Sequence, residues 1–203
     1  MPSTTLLLNV GHSIEPPKTG PYQSRMMERY AGFLARCERP RILDIGPVIG
    51  KNISFLLDLG ARLYVFDLLA RLGSQAAQNV QPENLRAQFD YEGGSFDAVH
   101  VWDIPDHLYQ SSFEELVRQC TRMLKPNGML LALTSSSTSV QPFQHYLIIN
   151  DKSNVTLQRV ENTKLPYYYK SNRDLDQAMK PLDQHCSFVC MNGVREFLFK
   201  KPF

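Results

Sequence analysis

The chain has 203 residues, of which 43% are hydrophobic and 21% charged, and its net charge is +2. That length suffices for one domain with a substantial core, and the near-neutral balance argues against a surface built for nucleic acid or an anionic membrane. No apolar run approaches the roughly 20 residues of a membrane span.

The N-terminal MPSTTLLLNVGHS carries an apolar patch without the basic start of a secretory signal. The first 20 residues, rich in proline and closed by Gly20-Pro21, read as an irregular arm. Residues 22–37 have helical spacing, with Met26, Tyr30, Phe33 and Leu34 on one face. These two pieces form an N-terminal section, residues 1–40, of a single domain spanning 1–203. Pro40 closes the helix and a strand follows over 42–45. After a glycine-bearing loop, Ile53, Leu56 and Leu57 mark a second helix, ended by Gly60.

A strand over 63–66 ends at Asp67, and a helix is expected over 68–79. A short strand is expected near 85–89, and FDAVHVWD, 96–103, is a continuous apolar strand. Ser112 and Glu115 have capping-box spacing ahead of the stripe Phe113, Leu116, Val117, Cys120 and Leu124, which Pro126-Asn127-Gly128 stops. MLLAL, 129–133, is the next strand.

Residues 138–170 are too long for a plain connection. HYLIIND and NVTLQRVEN read as a two-stranded flap, followed by Tyr167, Tyr168 and Tyr169. The tyrosines either clamp a planar acceptor or pack the flap onto the body or a second copy, the packing reading being slightly preferred. A helix with Leu175, Ala178, Met179 and Leu182 precedes SFVCMNGVREFLF, 187–199, where Asn192-Gly193 signals a hairpin. Strand–helix alternation with continuous apolar strands implies a mostly parallel, seven-stranded α/β sheet covered on both faces and finished by an antiparallel hairpin.

Cys37, Cys120, Cys186 and Cys190 show no CxxC spacing. Reduced thiols in a cytoplasm are expected, and Cys186 and Cys190 read as two apolar side chains on one strand face rather than a metal pair.

RILDIGPVIGKN, 41–52, runs from a strand into a loop holding Gly46 and Gly50 with Pro47, Val48 and Ile49 between them. Ligands in open α/β sheets bind beyond the carboxyl ends of the strands. Asp67 ends the following strand at the spacing of a ribose-binding carboxylate, the reading preferred over a cap for the next helix because position, type and spacing agree.

LDIGPVIG followed by GARLYVFD resembles the first two motifs of class I S-adenosylmethionine-dependent methyltransferases. SFDAVHVWD resembles that family's fourth-strand motif, and LKPNGMLLAL its turn into the fifth strand. The resemblance implies a Rossmann-like sheet with an antiparallel seventh strand and S-adenosylmethionine as cofactor. By it, Asp44 would support the loop and the cofactor's ammonium. Gly46, Pro47 and Gly50 would line the methionine part, Asp67 would hold the ribose, and Leu68 would flank the adenine, with Gln88 or Asp90 at the adenine edge. Uncharacterised bacterial methyltransferase-like proteins share the wider pattern.

Val48 stands where the family's loop has its middle glycine. A β-branched residue disfavours positive φ and occupies space that glycine leaves to a ligand. Either Val48 turns away or the cofactor is excluded. Methyl transfer depends mainly on positioning, sometimes with a base. WDIPDHLY, 102–109, supplies Asp103 as first candidate and His107, which titrates near neutrality, as second. Asp106 could merely start a turn, and His107 could lie in solvent. His100, in mid-strand, reads as a satisfied core residue. The expected function is methyl transfer to a small-molecule acceptor, with a homodimer possible; the alternative is a methyltransferase fold that binds without catalysing.

Overall fold

The computed structural model describes residues 19–76, 80–136, 144–160 and 165–203. The N-terminal arm expected before residue 19, and parts of the flap connections at 137–143 and 161–164, lie outside the described residues.

Strand β1 (Gly20–Gln23) leads into α1 (Arg25–Leu34). The helix starts later than its periodicity suggests because the Ser24 hydroxyl accepts the Met27 amide at 3.0 Å and ends the extended segment there. Then come β2 (Arg41–Asp44), α2 (Gly50–Asp58), β3 (Arg62–Val65), α3 (Leu68–Ala76), α4 (Pro82–Arg86) and β4 (Phe96–Trp102). A 3₁₀ turn over Ile104–His107 precedes α5 (Gln110–Met123), β5 (Leu124–Ser135), β6 (Gln144–Ile149) and β7 (Asn154–Val160). The chain ends with α6 (Asn172–Met179), β8 (Asp183–Val189) and β9 (Val194–Lys200).

The main sheet has the order β3-β2-β4-β5-β9-β8. Its first four strands are parallel, and β9 and β8 are antiparallel, joined through Gly193 at φ +83°. It has six strands rather than seven. The strand expected near 85–89 is instead the end of α4 and the turn after it: Pro82 occupies the first helical turn, where its missing N–H costs nothing, and Leu85 alone turns inward from that helix. Ser112 is no cap, since α5 begins at Gln110 and the Ser112 hydroxyl donates to the Val80 carbonyl. The capping box lies on α6, between Ser171 and Asp174.

Two apolar layers flank the sheet. On one face, α3, α4, α5 and α6 bury Leu68, Leu85, Phe113, Leu116 and Leu175 against Val99, Val101 and Leu130. On the other, α1 and α2 bury Met26, Tyr30 and Leu56 with Ala98, Leu131 and Leu133. Each such large apolar side chain contributes about 1.5–3 kcal/mol when fully buried. The expected flap forms and is larger than the sequence suggests. β6 and β7 pair antiparallel, and β1 adds to β7 from Gly20 opposite Leu157 to Gln23 opposite Asn154, giving a second sheet ordered β1-β7-β6. Leu147, Ile149, Val155 and Leu157 join the α1–α2 layer. Among the described residues, no helix is long and apolar enough to cross a membrane.

Candidate functional site

The carboxyl ends of β2, β3 and β4 lie side by side, which brings the loop after β2, Asp67 and the Trp102–His107 segment to one edge. At that edge Asp44 is buried and its Oδ1 is engaged twice. Its Oδ1 accepts the Gly46 amide at 3.0 Å and the Trp102 indole N–H at 2.7 Å, and its Oδ2 lies 3.5 Å from His100 Nδ1. The other nitrogen of His100 is 2.5 Å from the Tyr30 hydroxyl, so this histidine is a paired core residue. Asp44 thus holds the loop.

Val48 turns out to solvent, 65% exposed, and does not fill the site. The bulk over the loop comes from Trp102. A Cβ built on Gly46 would lie 2.1 Å from the indole Cδ1, so only glycine tolerates the ring there. Trp102 adopts φ +45°, uncommon for a bulky residue, next to a register shift between β4 and β5. Its ring stands edge-on to His100 at 5.1 Å.

The outer half of the loop is open. Pro47 is half-buried, nothing lies within 4 Å of a Cβ placed on Gly50, and no side chain caps α2. Asp67 is part-exposed. Its Oδ1 caps α3 by accepting the Ala70 amide at 3.0 Å, leaving the second oxygen outside that bond. Leu68 is buried in the core beneath it. Gln88 donates to the Asn84 carbonyl at 3.3 Å, and Asp90 is exposed, both in the turn after α4.

Asp103, Asp106 and His107 converge under the flap. Asp103 Oδ2 accepts the His145 amide of β6 at 2.7 Å and lies 3.4 Å from His107 Nε2. His107 Nδ1 is 2.8 Å from the Pro166 carbonyl, which can only accept, so Nδ1 carries a proton. The Nε2–Asp103 contact is then a hydrogen bond only in the imidazolium. Burial works against that charge, but Asp103 and the Pro166 carbonyl outweigh it and hold the His107 pKa above its ordinary value.

Asp106 Oδ2 accepts the Ser135 amide at 2.6 Å, and burial pushes its pKa up to about 7 against that bond and the pull of His107. Asp103, Asp106, Thr134 and Ser135 line a cavity of about 10 Å³, room for one water. His145, whose pKa burial lowers, also lines it and carried no site signal in the sequence: with Gln144 it is the polar start of an otherwise apolar strand. The tyrosines pack onto the body, Tyr168 against Tyr109 at 4.2 Å between ring centroids and Tyr169 beneath Arg195.

An adenosyl cofactor fits this edge in part. On the side the resemblance gives to the ribose, Asp67 keeps an oxygen outside its α3 bond, Gly50 is open and the start of α2 is uncapped. The cofactor's amino-acid end belongs over Gly46 by the resemblance, and there the indole already sits.

A family model described as a methyltransferase domain matches residues 22–183. Among solved structures, the fold resembles an amino pentose methyltransferase from Micromonospora echinaspora bound to S-adenosylmethionine, at TM-score 0.58 and 14% identity over 86% of this chain and 89% of that one. It also resembles an S-adenosylmethionine-dependent methyltransferase from Clostridium acetobutylicum, at TM-score 0.56 and 11% identity over 87% and 92%. A third is the Burkholderia thailandensis 1,6-didemethyltoxoflavin-N1-methyltransferase with S-adenosylhomocysteine, at TM-score 0.53 and 14% identity over 89% and 80%. Among curated proteins, none matches.

Proposed function

The chain belongs to the methyltransferase-domain family of the class I, S-adenosylmethionine-dependent kind, and from that membership we propose that it transfers a methyl group to a small-molecule acceptor. The carrying observation is the shared edge: Gly46 to Gly50, Asp67 and the Asp103–His107 pair lie at the ends of neighbouring parallel strands. The cofactor supplies a methyl group on a sulfonium. The chain's residues position it. Asp67 takes the ribose hydroxyls with the oxygen not committed to α3. Asp103 accepts the acceptor's proton, with His107, oriented through Pro166, as the charged partner beside it. The flap, closed over both, excludes water.

Calorimetry with S-adenosylhomocysteine tests the cofactor part. Binding no tighter than millimolar would leave the reading unsupported. Asp67→Ser is the sharper test, because serine still caps α3 while the carboxylate is lost. The expected weakening is about 1–3 kcal/mol, and unchanged affinity removes Asp67 from the site. The second reading, a fold that binds without catalysing, draws on one feature: Asp103 is already bonded to the flap backbone. Methyl transfer to no acceptor across a panel of amines, phenols and thiols, with cofactor binding intact, would favour it.

A further inference from the structure

We propose that Trp102 gates the amino-acid end of the cofactor site, so that the protein accepts an adenosyl group directly but takes the full cofactor only when the indole swings off Gly46. The inference rests on the S-adenosylmethionine reading above.

Three observations converge. The ring occupies the face of Gly46, at a distance no Cβ could share. Its N–H occupies the Asp44 oxygen that also holds the loop amide, which is the carboxylate the resemblance assigns to the cofactor's ammonium. The backbone carrying it stands at φ +45° beside a register shift between β4 and β5. Such strained positions persist where surrounding contacts over-determine them, and they cluster at switches and ligand clamps.

The ring is thus retained by one hydrogen bond and by packing, in a backbone state from which leaving relieves strain. Movement would uncover Gly46 and free an Asp44 oxygen together. The ribose side does not depend on the ring: Asp67, Gly50 and the start of α2 lie outside its contacts. A nucleoside without the amino-acid tail should therefore bind with the gate shut.

The test compares S-adenosylhomocysteine with 5′-methylthioadenosine, which lacks that tail, on wild type and on Trp102→Ala. The gate predicts similar affinities for the two ligands on wild type. On Trp102→Ala it predicts at least a tenfold gain for S-adenosylhomocysteine and little change for methylthioadenosine. The chain has one tryptophan, so wild-type fluorescence reports the ring without a mutation. S-Adenosylhomocysteine should shift the emission to the red and open it to acrylamide quenching, and methylthioadenosine should not.

If wild type binds S-adenosylhomocysteine tenfold tighter than methylthioadenosine with unmoved emission, the gate is wrong and the cofactor reading stands. If neither ligand binds wild type or a folded Trp102→Ala, both fail. Should the alanine variant not fold, the wild-type affinity ratio and emission decide alone.

Discussion

The bulk over the glycine loop comes not from the loop's own departure but from a residue on the neighbouring strand of the sheet. Val48 sits where a bare backbone is usual, yet its side chain points to solvent. Val48→Gly is therefore expected to leave the affinity for S-adenosylhomocysteine within about 0.5 kcal/mol, the ordinary range of surface substitutions, as calorimetry would show. A clear gain would mean that the valine obstructs after all. Asp44, Gly46 and Asp67 stood out in the sequence because type and spacing agree with a known motif. Trp102 did not, because an aromatic at the end of an apolar strand reads as core, and its reach across to Gly46 depends on a left-handed backbone that no local pattern announces. Asp67 settled its helix-capping role while keeping an oxygen for another partner, so its two readings are compatible.

At the scale of elements, a buried side chain of α2 joins Asp103 in holding the flap. Asn52 of α2 donates to the Leu147 carbonyl at 2.8 Å and accepts the Ile149 amide at 2.7 Å, bonding to β6 as a strand would. Asn52→Leu keeps the volume but leaves two buried backbone groups unpaired. It should cost roughly 2–4 kcal/mol by that count, read by urea unfolding. It should also speed hydrogen exchange at Ile149 while the amides of β4 keep their protection. Unchanged exchange at Ile149 would show that the flap is held elsewhere. The two flap strands were legible as HYLIIND and NVTLQRVEN within an insertion too long for a plain connection. Their third partner was not, since Gly20–Gln23 is too short to show a period and pairs with residues far along the chain. The strand misplaced near 85–89 has a similar cause: a short apolar segment carries no period that separates a turn of helix from a strand.

For the molecule as a whole, parallel strands alternating with helices and a terminal hairpin follow from continuous apolar runs and from the turn residues between them, and these were readable. The buried polar cluster between sheet and flap was legible in part: Asp103, Asp106 and His107 share one short segment, whereas His145 and Ser135 reach them only through tertiary packing. That cluster makes stability depend on pH. Asp106 has its pKa raised by burial from 3.8 to about 7. Between those values the folded state keeps a proton the unfolded chain has released, so this contribution is full below about pH 4 and lost as pH rises through about 7. Asp106→Asn keeps an acceptor for the Ser135 amide and carries no charge. It should be more stable than wild type at about pH 8 by roughly 1–3 kcal/mol, with a flatter pH profile in urea titrations. A variant less stable than wild type at that pH would contradict the burial argument.

The pairing of Gly20–Gln23 with Asn154–Leu157 also bears on how the chain acquires its shape. A ribosome releases the first of these segments long before the second exists, so β1 must wait for β7 to be made before it has this neighbour. The parallel strands and their helices can assemble meanwhile from nearer partners. Adding β1 to the small sheet is therefore expected to come late, once the rest of the fold has met the loop-closure entropy, which makes that strand a clasp on the flap.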